Sequence, residues 1–112
     1  MGLFGYNEKD YAKNTANFKA RLQEIINNTS DRNVNNFGVG KAITKLMIKL
    51  DQLPYAKGSK EMQSVDQEIS KIIASMEEDA MKKRMSSILM RADVLYREID
   101  ESRRFGKNAF TA

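Results

Sequence analysis

Apolar residues recur every three or four positions through most of this 112-residue chain, and this spacing limits its fold more than any other feature. The sequence has only one proline and six glycines, and all of them lie near the chain ends or between the periodic segments. Both residue types destabilise the interior of a helix. The pattern therefore predicts an all-α protein, and the length suits a single helical domain over residues 1–112.

The first predicted helix begins at Asn7, because asparagine is a good N-cap and Glu8 and Asp10 place negative charge at the helix start. The pattern stops at residues 27–36, whose polar side chains compete for backbone hydrogen bonds and predict a loop. The apolar stripe of this helix comprises Tyr11, Phe18, Leu22, Ile25 and Ile26.

The second predicted helix runs from about Gly38 to Leu53 and ends there because the residue before Pro54 is disfavoured in the α conformation. Ile48 points away from the apolar stripe, which indicates that this helix is buried on more than one side. The stripe itself comprises Val39, Ile43, Leu46, Met47, Leu50 and Leu53.

The last helical region, about residues 60–104, carries two apolar stripes that are out of phase. The step of five residues from Met76 to Met81 turns a helix by roughly 140° instead of a full circle. Either the region is broken near 77–80, with Asp79 or a Ser75–Glu78 capping box starting a fourth helix, or one long helix turns a different face to its neighbours. The sequence thus predicts an antiparallel helical bundle of three or four helices, with short apolar tails at residues 1–6 and 106–112.

The segment NFGVGKAIT, residues 36–44, is the part of the sequence that most resembles a chemical motif. A phosphate-binding loop needs a glycine where this chain has Asn35, and a hydroxyl side chain where it has Ala42. It also needs a preceding apolar strand, and the sequence before this segment is polar. We therefore interpret the segment as a helix start, with Asn35 or Asn36 as the cap.

The absence of cysteine and histidine from the sequence excludes several kinds of chemistry. It removes disulfides, thiolate nucleophiles, Ser-His-Asp triads and the commonest ligands of transition metals. We find no complete catalytic motif, so we expect a protein that is not an enzyme and binds no cofactor or metal. No apolar run approaches the roughly 20 residues of a membrane-spanning helix, and no secretion signal is evident, which predicts a cytoplasmic protein without a membrane span.

Two groups of residues are candidates for contacts with other molecules. The candidate partner surface combines the offset methionines with exposed apolar side chains, and comprises Met81, Met85, Ile48, Phe105 and Phe110. The candidate contacts to anions or nucleic acid are Lys82, Lys83, Arg84, Arg103 and Arg104. The net charge of the whole chain is only +4. We therefore expect a non-enzymatic protein–protein interaction or assembly module, with self-association as one form of it. Nucleic-acid binding through the basic C-terminal segment is the alternative.

Overall fold

The computed structural model of the protein describes residues 5–30 and 38–111. The described residues form four α-helices and a short 3-10 helix, and they contain no strand. These elements are α1 (Glu8–Asn28), α2 (Val39–Gln52), α3 (Met62–Met81), α4 (Met85–Phe105) and the 3-10 helix Ala109–Thr111. The all-α bundle predicted from the sequence is confirmed.

The helices occupy the four corners of the bundle, with α1 and α4 at opposite corners and α2 and α3 at the other two. Side-chain contacts show that the sequential pairs α1/α2 and α3/α4 are antiparallel. In contrast, α1 and α3 are parallel, because Asn14 bonds to Asp66 and Arg21 bonds to Glu77 further along both helices. The connection at residues 53–61 therefore crosses one end of the bundle from corner to corner.

The predicted apolar stripes form the core where the four helices meet. On α2 only one face is buried, and Ile48 on the opposite side is 52% exposed, so burial of this helix on a second side is not found. On α4 the predicted stripe is buried from Met85 onward, whereas Met81 is 80% exposed. The most deeply buried apolar residues include Leu22, Ile43, Leu46, Ile69, Ile73, Ile88, Leu95 and Ile99.

The break between α3 and α4 lies at residues 82–84, a few residues after the predicted position near 77–80. Lys83 adopts the left-handed conformation, with φ of 58°. The N–H of Arg84 donates to the carbonyl of Asp79 at 2.8 Å, and the N–H of Lys83 donates to that of Ala80 at 3.2 Å. These two bonds are typical of a helix end that carries glycine at the left-handed position. Because lysine occupies that position here, the local sequence does not predict this helix end.

Two helix starts match the sequence analysis. Asn7 caps α1 through a reciprocal pair of hydrogen bonds with Asp10, as expected for a capping box. Helix α2 begins after Gly38, whose φ of 84° is left-handed, so the described part of the 36–44 segment is a helix start. Asn35 and Asn36, the predicted caps, lie outside the described residues.

An ion pair between Arg103 of α4 and Asp66 of α3 lies inside the apolar core. Arg103 is 0% exposed and Asp66 is 2% exposed. The guanidinium donates to both carboxylate oxygens, at 2.9 and 3.0 Å, and to the hydroxyl of Thr15 at 2.8 Å. It also lies 3.8 Å from the centre of the Tyr11 ring, close enough for a cation–π interaction. One guanidinium thus connects α4 with both α3 and α1.

The Asp66 carboxylate also accepts hydrogen bonds from the segment before α1 and from α1 itself. The hydroxyl of Tyr6 and the side-chain amide of Asn14 both donate to it. Burial raises the pKa of the Tyr6 phenol, and the neighbouring carboxylate raises it further. Tyr6 therefore stays protonated and keeps donating over the whole neutral range.

The C-terminal residues pack onto the bundle. The Ser59 hydroxyl donates to the carbonyl of Gly106 at 2.6 Å, which ties the 53–61 connection to the end of α4. Gly106 is left-handed, and a Cβ atom there would lie 2.5 Å from that of Ser59, so only glycine fits. Phe110 is partly buried against the core. The predicted tail at 106–112 is therefore packed at least as far as Phe110.

The substitution Asp66→Asn should destabilise the fold strongly, because it leaves the buried Arg103 charge without its counter-ion. We expect the free energy of unfolding to fall by about 3–5 kcal/mol, measured by urea denaturation with circular dichroism. Glu78→Gln breaks an exposed pair with Lys82 and is the matched control, with little change expected. Replacing both buried ions, as Asp66→Leu with Arg103→Met, should give a more stable protein than either change alone. Equal losses for Asp66→Asn and Glu78→Gln would contradict this account of the core.

Glycine at position 83 should stabilise the protein, because lysine at a φ of 58° has an unfavourable contact between Cβ and the backbone. We expect Lys83→Gly to raise the free energy of unfolding by roughly 0.5–1 kcal/mol, after allowing for the entropy of glycine in the unfolded chain. The neighbouring Lys82→Gly removes the same charge at a residue with negative φ, so it should lower stability instead. Thermal denaturation of the two variants side by side measures the difference, and a Lys83→Gly variant no more stable than Lys82→Gly would refute it.

Candidate functional site

One side of α4 carries large exposed side chains that face neither α2 nor α3. Met90 is 62% exposed, Val94 is 37% exposed and Phe105 is 64% exposed. Arg97 and Glu101 lie between them, and both are exposed. Steps of four, three, four and four residues place all of these side chains within roughly 80° of the helix circumference. We call Met90, Val94, Arg97, Glu101 and Phe105 the α4 face.

The opposite side of α4 is fixed in the core, so the α4 face has a defined orientation. Ile88, Leu95 and Ile99 are each 0% exposed. Two residues after the fully buried Arg103, Phe105 points in nearly the opposite direction, because two helical residues lie roughly 160° apart around the axis. The burial of an arginine therefore places a phenylalanine in solvent, the reverse of what hydrophobicity alone favours.

A row of alternating charges runs along the side of α4 nearest to α2. It consists of Asp93, Arg97, Asp100 and Arg104, which we call the charged row. Arg97 lies 3.2 Å from Asp93, and Arg104 lies 2.8 Å from Asp100. The hydrogen bond from Arg104 lowers the pKa of the Asp100 carboxyl and raises that of the arginine itself. The Asp100 carboxyl is therefore ionised at neutral pH.

Helix α2 supports this side of α4 through two lysines. The ammonium groups of Lys45 and Lys49 lie 5.2 and 5.1 Å from the centre of the Tyr96 ring, within cation–π range. Lys49 also lies 3.3 Å from Asp100. These contacts hold the charged row next to α2 and keep its acids on the outside of the bundle.

The structure places the five predicted partner-surface residues in different environments. Phe105 belongs to the α4 face, whereas exposed Met81 lies at the end of α3 and exposed Ile48 projects from the far side of α2. Met85 is only 6% exposed and belongs to the core, because the break at 82–84 rotates α4 relative to α3. Phe110 packs partly against the core. Met85 and Phe110 therefore contribute little to any surface that a partner could contact.

The sequence analysis missed Met90 and Val94 as surface residues. Helical spacing alone predicts that both side chains are exposed, because they lie on the side of α4 away from the buried stripe of Ile88, Ala92 and Leu95. The offset between the two apolar stripes indicated Met81 and Met85 as surface methionines instead.

The basic residues predicted to contact anions or nucleic acid are mostly engaged with acids of the same chain. Arg103 is completely buried, which removes it from any contact with a phosphate. The pairs are Lys82 with Glu78, Arg84 with Asp79, Arg103 with Asp66, and Arg104 with Asp100. Asp79 is itself buried and is bound more closely by Arg91, at 2.8 Å. These ion pairs offset part of the positive charge that a nucleic-acid surface would need.

A polar cavity of about 460 Å³ lies between α1 and α3. Its lining includes Tyr6, Lys13, Asn14, Gln67 and the Asp66 carboxylate. That carboxylate is bound by the arginine, phenol and amide described above, so it is not free to act as a general base. In the part of the chain that the structure describes, every buried side-chain polar atom has a hydrogen-bond partner, and no group of three potential metal ligands comes together.

Within the described ranges, no helix combines the length and the apolar character that crossing a membrane requires. No protein-family model, curated protein or solved structure matches the chain. The function is therefore inferred from the geometry of the α4 face and of the elements that hold it.

Proposed function

We propose that this protein is a non-enzymatic assembly module that associates with itself through the α4 face. The observation that carries the proposal lies at the end of α4, where a charged residue is buried and an aromatic residue is exposed. Arg103 is 0% exposed and Phe105 is 64% exposed. Burying apolar surface stabilises a protein by about 25 cal/mol for each square ångström removed from water, and an exposed phenylalanine lacks this stabilisation. A second protein surface that covers Phe105 would recover this free energy.

The α4 face also has the form of a helix-docking surface. Met90 and Val94 lie one turn apart near one end, and Phe105 lies near the other, about 22 Å along the helix axis at the usual rise per residue. Spacings of three and four residues are those of the seam between paired helices. The face takes no part in the core of its own subunit, so it is available for association without unfolding any part of the bundle.

The alternative of a nucleic-acid-binding accessory protein lacks a comparable supporting observation. The positive net charge permits it, but acids of the same chain pair with most of the basic residues on which it depends. We therefore favour protein–protein assembly.

The double substitution Met90→Ser with Phe105→Ser should weaken self-association without unfolding the bundle, because both side chains are exposed in the single chain. An interface built on one helix face is small, so we expect the unchanged protein to dimerise with a Kd on the order of 10–100 µM. The variant should dimerise about ten-fold or more weakly, measured by sedimentation velocity over a range of protein concentrations.

The matched control is Ile48→Ser with Met81→Ser, which removes two exposed apolar side chains that lie off the α4 face. This control should dimerise as the unchanged protein does. A protein that stays monomeric throughout the concentration range would refute the proposed function, and so would an equal loss of association in both double variants.

A further inference from the structure

We infer that two copies of the chain pair along α4 in antiparallel orientation, in a register fixed by the charged row. This inference rests on the proposed function, since it specifies how the α4 face is covered. It identifies the partner as a second copy of the same chain and assigns to Asp93, Arg97, Asp100 and Arg104 the role of determining orientation.

The sequence of signs along the charged row is the first argument. Negative and positive charges alternate at steps of four, three and four residues. Reading the row backwards gives the same spacing with every sign inverted. When a second copy runs in the opposite direction and the two rows are centred on each other, Asp93 lies opposite Arg104 of the second copy and Arg97 lies opposite its Asp100. All four charges of each row then face opposite charges at the same level.

The two rows can meet because the symmetry of an antiparallel pair brings them to the same side. The twofold axis of such a pair is perpendicular to the helices, so each edge of one helix lies beside the equivalent edge of the other. The two ion pairs within each chain, Asp93–Arg97 and Asp100–Arg104, would then join into one network across the interface. Lys49, which also contacts Asp100, would lie at the border of this network.

The apolar residues fit the same register, which is the second and independent argument. With the charged rows centred, Phe105 of the second copy lies level with position 92, between Met90 and Val94. A side chain that enters the gap between residues one turn apart is the packing found in paired helices. The dimer contains this contact twice, once at each end of the interface. Each exposed phenylalanine is therefore covered.

Glu101 supplies the third argument. Among the residues that the structure describes, no lysine or arginine lies within ion-pair distance of its carboxylate. In the register above, Glu101 of the second copy lies one residue away from the level of Arg97. A parallel pair would instead place Arg97 opposite Arg97 and Glu101 opposite Glu101 in the centre of the seam. Like charges at the same level disfavour that arrangement and favour the antiparallel one.

Exposed ion pairs contribute little individually, so the charges should select orientation while the apolar contacts supply most of the affinity. A twofold antiparallel pair uses the same surface on both copies and closes on itself. The assembly is therefore a dimer that does not extend into a filament.

The first test exchanges charges between the two ends of the row. Asp93→Lys places a positive charge opposite Arg104 of the second copy, and Arg104→Glu places a negative charge opposite Asp93. Each single variant should dimerise about ten-fold more weakly than the unchanged protein. An equimolar mixture of the two variants should form a heterodimer with the original affinity. In the heterodimer, the lysine that replaces Asp93 faces the glutamate that replaces Arg104, and the unchanged Asp93 faces the unchanged Arg104. A mixture that associates no better than the separate variants would overturn the register.

The second test reads orientation directly and uses the absence of cysteine from the chain. Val94→Cys and Glu101→Cys are single substitutions on the α4 face, near each other across the antiparallel seam. A short bismaleimide should link one variant to the other when the two are mixed, and mass spectrometry identifies the linked species. Links only between identical variants would show a parallel pair, which overturns this inference and leaves the proposed function standing. Absence of any dimer of the unchanged protein in sedimentation would remove the proposed function as well.

Discussion

The ion pair between Asp66 and Arg103 determines which helices meet at one end of the bundle. A buried charge is tolerated only when a counter-ion and further hydrogen bonds replace the water it has lost. Arg103 finds its counter-ion on α3 and its remaining partners, Thr15 and Tyr11, on α1. An arrangement that moved α4 away from α3, or rotated it, would leave both ions unpaired in an apolar core. The pair therefore favours one order of helices over the alternatives that apolar stripes alone would permit.

The same pair and the apolar stripe of α4 favour one orientation of this helix about its own axis. With Arg103 directed inward, Ile99 and Leu95 also face the core, and Phe105, Val94 and Met90 face solvent. Rotating α4 by the roughly 160° needed to bring Phe105 inside would also move Ile88, Leu95 and Ile99 out of the core, so the apolar stripe disfavours this rotation too. The ion pair also opposes this rotation, because exposing Arg103 would leave the buried carboxylate of Asp66 without its counter-ion. The composition of the core and the exposure of the α4 face are thus two results of one rotational position.

Periodicity was sufficient to predict the helices, because burial of one face per helix is a local property of the sequence. The stripes ending in Leu53 and Ile99 were found in this way. The exact break after Met81 was not found, because the left-handed residue there is Lys83 where glycine is usual. The helical phase of Met90, opposite to the buried stripe of α4, does predict its exposure.

The interior position of Arg103 could not be predicted from local sequence. It follows Ser102 and precedes Arg104 at the end of a helix, where basic residues are common for their interaction with the helix dipole. Its positive charge next to Arg104 made it a candidate for a surface contact with anions. Its burial depends on Asp66, which lies 37 residues earlier in the sequence and at the same level of the folded bundle. Only the three-dimensional arrangement brings together the three helices that satisfy the charge.

Replacing a buried ion pair by apolar residues is often neutral or stabilising, so stability alone does not explain why Arg103 occupies the core. What the pair adds is a penalty for every other rotation of α4. In the proposed dimer, a second copy that covers the α4 face would stabilise the same rotation, because Phe105 would then be buried only if Arg103 remained inside. In the proposed dimer, folding and association would favour the same orientation of α4, and a species that binds only this orientation would raise the stability of the bundle with the logarithm of its concentration relative to its Kd.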